Sequence, residues 1–285
     1  MPTDKKSEWD WEIKHDQSWF NLNIREIFHY KDLLIRFVRR DIIASYQQTI
    51  LGPIWVFLQP LLTALVYYLI FSRIANISTD GIKPAILFYL PGSIIWTYFS
   101  DCLTGTMNTF VTNAYIFNKV YFPRLIAPLS NVLFHTFRLS FQLIFFFLIY
   151  LFFLVVYRNV HPSLYILLLP LLILQTAIFA LGAGLIISVL TAKYRDLDNI
   201  INFLMRLFMF VSPIVYPVSI IPEKYKFLFW MNPLTAIIET FRSAFFSNHP
   251  VYGKYLLLSG FNSIVLLLAG LVFFHKREIK VMDVV

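Results

Sequence analysis

Long apolar stretches without a formal charge alternate with short polar clusters along this chain. Ile42 to Ser72, Asn159 to Ala192 and Tyr255 to His275 hold no Lys, Arg, Asp or Glu. About 20 apolar residues make a helix that crosses the hydrocarbon core, where only internally hydrogen-bonded backbone is tolerated. The pattern predicts an all-α polytopic membrane protein with six transmembrane helices, at roughly 53 to 72, 85 to 105, 129 to 157, 163 to 190, 200 to 219 and 255 to 274. Arg158 to Pro162 leave only a tight hairpin between the third and fourth spans. Between the fifth and sixth lie two short apolar helices, Pro222 to Met231 and Pro233 to Phe246, with Asn232 as N-cap and Pro233 at the first helical position. They are too short to cross and are expected to dip into the outer leaflet and return.

Ahead of the first span, Ile24, Ile27, Phe28, Leu34, Ile35, Val38 and Ile42 project to one helical face. Arg25, His29, Asp32, Arg36, Arg39 and Arg40 occupy the other. This predicts an N-terminal amphipathic interfacial helix, its cations near anionic headgroups and Lys31 snorkelling from the apolar side. Packing on another protein domain is the alternative, and the two are compatible. The domain organisation is then a tail over residues 1–22, a transmembrane domain over 23–275 and a second tail over 276–285.

Composition agrees: 58% of the 285 residues are hydrophobic and 14% charged, which excludes a water-soluble domain. The net charge of +8 is explained by its distribution rather than by nucleic acid, which is not expected as a partner. Lys5, Lys6, Lys14, Arg25, Lys31, Arg36, Arg39, Arg40, Lys119, Arg124, Lys193, Arg195, Lys276, Arg277 and Lys280 fall on one side of the six spans. The other side holds fewer: Arg73, Lys83, Arg158, Lys224, Lys226, Arg242 and Lys254. The positive-inside bias places both termini in the cytoplasm. Met1 to Gln17 is too charged for a cleavable signal peptide, so the first span is expected to serve as the insertion signal. The single Cys102 sits in an apolar segment and reads as a small hydrophobe.

Chemical motifs are sparse. Gly-x-x-x-x-Gly-Lys does not occur among the nine glycines, and the six histidines show no metal-ligand spacing. No internal repeat of the kind found in secondary carriers is visible. Asp196 and Asp198 form an Asp-x-Asp, the only foothold for a metal-assisted glycan transferase or polymerase; beside Lys193 and Arg195 they also read as a self-paired surface turn. Arg138 and Arg206 fall inside spans. Leu139 to Tyr157 still supplies about 28 Å of helix, so Arg138 is expected at the inner boundary, with a pathway-lining role as the alternative. Glu239 and Arg242 stand one turn apart and can pair. The chain holds 30 Phe, 16 Tyr and 6 Trp; most are expected in interfacial belts and packing, while Trp55, Tyr67, Tyr68, Trp96, Tyr98 and Tyr216 combine a flat apolar face with a polar tip that can also stack on a sugar ring.

Several strings in sequence order resemble the ABC-2 family of export permeases, in particular the Wzm type that exports O-antigen and related polysaccharides. They are Arg39-Arg40-Asp41, Leu51-Gly52-Pro53-Ile54-Trp55 with Gln59-Pro60, Lys119-Val120-Tyr121-Phe122-Pro123-Arg124, Tyr194-Arg195-Asp196-Leu197, Ser212-Pro213-Ile214-Val215-Tyr216 and Asn232-Pro233-Leu234. The resemblance implies a bacterial inner-membrane permease half that pairs with a second copy and with two ABC ATPase subunits. It also implies that ATP and Mg are bound by those partners and not by this chain. Contact with the ATPase is expected around Asn113, Lys119, Tyr121, Phe122, Pro123 and Arg124, with a second contact at Tyr194, Arg195 and Asp196. Pro123 and Pro128 are expected to separate this segment from the third span. Gln59, Tyr67, Tyr68, Trp96, Tyr98 and Tyr216 are expected along the cargo path, and Asn232, Pro233, Glu239 and Arg242 at its outer gate. A lipid-linked glycan is the expected cargo. A drug or another lipid is the alternative for the same fold, and a non-transporting membrane scaffold is a third possibility.

Overall fold

A computed structural model describes residues 28–47, 52, 54–117, 119–157, 161–246 and 252–282. The expected N-terminal tail 1–22, with Arg25, Leu51, Pro53 and Arg158, lies outside the described residues. Among those described, all regular structure is helical. Helix α1 covers Lys31–Tyr46. Helix α2, Ile54–Tyr67, runs on through a π-helical segment, Tyr68–Ile74, and Arg73 Nε donates to Tyr68 Oη across that wider turn at 2.6 Å. Then come α3, Ile86–Met107; α4, Thr109–Phe117; α5, Ile126–Tyr157; and α6, Leu169–Lys193, entered through a 3₁₀ turn at Leu164–Leu168. The chain continues with α7, Leu197–Val211; α8, Glu223–Met231; α9, Pro233–Phe245; and α10, Gly253–Met282.

Among the described residues, five stretches are long and apolar enough to cross a membrane: Ile54–Ile74, Ile86–Met107, Ile126–Val156, Leu164–Lys193 and Gly253–Glu278. The segment expected as the fifth span, 200 to 219, divides in two. At 1.5 Å per residue α7 rises about 22 Å, short of the roughly 30 Å core. It stops because Pro213 disfavours the helical conformation for Ser212, whose backbone is extended at φ −97°, ψ 141°.

Two boundaries differ from expectation for clear reasons. Pro128 does not separate the connecting segment from the third span. It occupies the first turn of α5, where the amide that proline lacks has no helical partner to lose. The last helix also runs past residue 275, so most of the expected C-terminal tail is helical through Met282.

Helices α3 and α6 form the centre. Backbone approaches backbone at glycines: a Cβ on Gly182 of α6 would lie 2.7 Å from Leu267 N of α10, and one on Gly270 of α10 would lie 2.5 Å from Gly182 O. A Cβ on Gly184 would meet Thr106 of α3 at 2.6 Å. Small residues at such crossings let membrane helices gain dispersion contacts that lipid would otherwise supply. Phe99 of α3 stacks on Phe179 of α6 with centroids 5.0 Å apart. Both short helices expected before the last span are present. Helix α9, however, is not laid against lipid: all 13 of its residues are buried among α3, α6 and α10, which is how a short helix with open ends persists at membrane depth.

Candidate functional site

At one end of the bundle, α1, α4 and the turn after α4 form one packed unit. Pro123 keeps Phe122 out of a helix, so its side chain can fill the space between the two helices. Phe122 is buried, edge-on to Phe37 of α1 with centroids 5.6 Å apart and stacked on Phe117 of α4 at 5.4 Å. Ile126 and Ala127 of α5 close this cluster, flanked by Tyr30, Leu33, Leu34 and Ile116. A polar bond runs beside the aromatic one: Arg40 Nη2 of α1 donates to Asn113 Oδ1 of α4 at 3.2 Å. The same guanidinium pairs with Asp41 at 2.8 Å and lies 4.7 Å from the centroid of Phe37.

Helix α1 thus has two apolar groups. Tyr30, Leu33, Leu34 and Phe37 face protein, while Phe28, Ile35 and Ile43 are exposed together with Arg36 and Arg39. Packing and surface exposure coexist on one helix. Around the joint, Tyr121 is 83% exposed, Pro123 and Arg124 are half-buried, and Lys119 Nζ bonds Tyr115 Oη and lies 3.8 Å from its ring centroid. Tyr194, Arg195 and Asp196 are exposed in the turn between α6 and α7. Asp198 Oδ2 accepts from Asn202 Nδ2 at 3.2 Å, and no cluster of three or more His, Cys, Asp or Glu occurs among the described residues.

Asp101 escapes a reading of single residues. It lies about 9 Å from the end of α3, and its Oδ2 accepts from Arg138 Nη1 of α5 at 3.2 Å. His135 Nδ1 stands 3.7 Å from the same oxygen. One signal was available: the second and third expected spans each hold one unpaired ion of opposite sign, and antiparallel neighbours can bring the two together. Arg206 is exposed on α7.

The other end is sealed around α9. Asn232 Oδ1 caps the helix by accepting from Leu234 N at 3.0 Å, and its Nδ2 donates to Ser212 Oγ at 3.0 Å. Pro233 follows at the first helical position, buried. Arg242 is fully buried and donates to Glu239 Oε1 at 2.8 Å, Phe88 O at 3.2 Å and Ile214 O at 3.0 Å. Its guanidinium lies 3.6 Å from the centroid of Phe88. The expected pairing within α9 is present, and Arg242 also fastens α9 to α3 and to the segment after α7. Trp230 stacks on Tyr255 at 4.2 Å and packs against Tyr252, whose phenol burial pushes above its ordinary pKa.

The aromatic residues expected along a path divide by exposure. Gln59 is exposed on α2. Tyr67 Oη donates to Met209 Sδ of α7 at 3.1 Å, and Tyr68 takes the bond from Arg73. Trp96 is half-buried between Phe99 and Phe208, and Tyr216 Oη donates to Phe210 O. Tyr98 departs from expectation: at 2% exposure, with its hydroxyl bonded to Thr136 Oγ1 at 2.8 Å, it packs inside the bundle and is removed from any open wall of this copy.

Long apolar helices around a buried short helix, with a jointed polar unit at the opposite end, define a multi-pass helical membrane protein. The sequence model of the ABC-2 type transporter family matches residues 33–246, and the chain belongs to that family. It is 30% identical over 254 residues to the O-antigen export system permease protein RfbA of Klebsiella pneumoniae, covering 89% of this chain and 95% of that one. Similarity to RfbA of Myxococcus xanthus is 27% over 259 residues, covering 90% and 96%. The polysialic acid transport protein KpsM of Escherichia coli is 24% identical over 246 residues, covering 84% and 91%.

Proposed function

We propose that this chain is the permease subunit of an ATP-driven exporter that moves a lipid-linked polysaccharide, O-antigen or a similar cell-surface glycan, across the bacterial inner membrane. It does no chemistry on its cargo. Two copies pair, two separate ABC ATPase subunits hold ATP and Mg, and both termini of the permease lie in the cytoplasm with α1 and α4.

The observation that carries this reading is the joint at Phe122. A push on exposed Tyr121 or on α4 is passed to α1 through Phe37 and Asn113, and to α5 through Ile126, because packed aromatic contacts move as a unit rather than deform. Tyr194, Arg195 and Asp196 offer the ATPase a second, solvated contact. Exposed Gln59 and half-buried Tyr67, Tyr68, Trp96 and Tyr216 supply flat apolar faces with polar tips, suited to successive sugars sliding without deep pockets. The relatives' names, which speak of O-antigen and polysialic acid, support a glycan as cargo.

The test is reconstitution in vesicles with the co-encoded ATPase. Lipid-linked glycan is expected to stimulate ATP hydrolysis and to become protected in the lumen. Phe122→Ala with Arg124→Ala is expected to abolish stimulation while leaving the basal hydrolysis of the ATPase intact. Unchanged stimulation in the double variant refutes the joint as the coupling element, and absence of glycan movement with the wild type refutes the cargo.

A further inference from the structure

The ring contacts of the joint do not end at Phe122. Phe117 lies 5.9 Å from Phe110 within α4, and Phe110 stacks on Phe274 of α10 with centroids 5.2 Å apart. Phe110 and Phe274 are both buried. We propose that α10 is the strut that carries movement of the joint to the sealed end of the bundle, and that Phe274 is the residue through which it is driven. The proposal rests on the reading of this chain as an ATP-driven permease.

Stiffness is the first requirement of a strut. Helix α10, Gly253–Met282, runs 30 residues without a proline, a rod of about 45 Å. Sharp bends in helices come from prolines, bulges or inserted groups, so displacement at Phe274 reaches Tyr255, about 28 Å away, with little lost to bending. A rival route runs through α3, which follows α4 directly and ends at Phe88, whose carbonyl accepts from Arg242. Pro91 lies inside α3 just before that contact, where it removes a helical hydrogen bond.

Freedom to shift is the second requirement. Most of α3 is enclosed by other helices, whereas most of α10 is not. Leu257, Phe261, Ile264, Val265 and Leu268 of α10 are exposed, a face that lipid can accommodate in any position. Its main protein neighbour is α6. At their crossing Gly182 and Gly270 put no side chain between the backbones, so a small sliding movement meets no interlocked side chain there.

At the sealed end α10 grips the turn between α8 and α9 in three places. Tyr255 stacks on Trp230 at 4.2 Å, Asn262 Nδ2 donates to Met231 O at 3.3 Å, and Ser259 Oγ donates to Pro233 O at 2.9 Å. Arg242, about 14 Å farther along α9, stays tied to Phe88 O and Ile214 O. A shift of α10 therefore carries α8 and tilts α9 about its Arg242 anchor, without pulling α9 from its slot.

The test uses the full-length chain with its co-encoded ATPase in nanodiscs, spin-labelled at Lys224→Cys on α8 and Val155→Cys on α5, both exposed, and diluted with unlabelled chain so that one labelled copy is read at a time. The interspin distance is compared without nucleotide and with ATP plus vanadate. A shift of about 2 Å or more is expected on trapping, and Phe274→Ala is expected to abolish it and to lower glycan-stimulated ATP hydrolysis severalfold while basal hydrolysis persists. Phe274→Leu keeps apolar volume without the flat ring and is expected to lie between, with thermal melting checking the fold of both. Phe110→Leu combined with Phe274→Leu is expected to cost no more coupling than the stronger single change, because the two act through one contact. Leu257→Ala, on the lipid face of α10, is the silent control. An undiminished shift in both well-folded Phe274 variants overturns the proposal and assigns the movement to α3. So does a wild-type chain whose labels stay still while ATP is hydrolysed. A shift that depends on Phe274 in a chain that moves no glycan refutes the cargo and upholds the strut.

Discussion

The two ends of the bundle solve the problem of placing ions near a membrane in opposite ways. Around α9 the ions are dry and held by protein: a fully buried guanidinium serves a carboxylate and two carbonyls, and Asn232 caps the helix while holding Ser212. Around α1 and α4 the ions are half-exposed, and Arg40 divides itself between Asp41 and Asn113. Truncating one partner of a dry network leaves the others unsatisfied, whereas solvent screens an exposed pair and replaces its bonds. The first kind of end holds a shape. The second can be moved.

This contrast breaks most decisively at Arg242. Arg242→Leu strands Glu239 in the interior and frees the carbonyls of Phe88 and Ile214, with an expected loss of about 3 to 5 kcal/mol. Thermal melting of the purified protein in nanodiscs and the yield of membrane-inserted chain measure it, and near-wild-type stability would show that water reaches α9. Asn232→Ala removes the cap and the bond to Ser212, and about 1 to 2 kcal/mol is expected by the same melting assay. Arg40→Ala sharpens the comparison from the other end. Its stability cost is expected to stay below about 1 kcal/mol because the pair with Asp41 is solvated, while glycan-stimulated ATP hydrolysis falls severalfold as α1 uncouples from α4. A melting loss as large as that of Arg242→Leu would show that the two ends do not differ in kind.

Much of the fold was legible because lipid leaves the chain few choices. Charge-free runs marked the long helices, and the pair Asn232-Pro233 marked the start of α9 to the residue, since an N-cap followed by proline is a local signal. Legibility stopped where tertiary geometry took over. The end of α7 at Val211 follows from Pro213, but 200 to 219 carries no charge apart from Arg206 and so resembles a full span. Amphipathic counting over Ile24 to Ile42 found one apolar face on α1. Which residues are buried depends on where Phe122 arrives from a distant loop. The Asp101–Arg138 pair was hidden for the same reason, because each ion alone looks like a boundary residue, and depth matches depth only once α3 and α5 are seen to be neighbours.

The burial of α9 also bears on how the chain is made. Synthesis runs from the N-terminus, so α3 and α6 reach the membrane well before Pro233 leaves the ribosome. The slot that α9 fills is walled by α3 and α6, made before it, and by α10, made after it, so it closes only once the last helix is in place. Glu239 and Arg242, one turn apart, emerge almost together and can neutralise each other before they leave water. The helix then arrives as a pre-paired insert, and its docking fastens Phe88 and Ile214 into the finished bundle. Biogenesis of this permease is complete only when a segment that never crosses the bilayer has been taken into its centre.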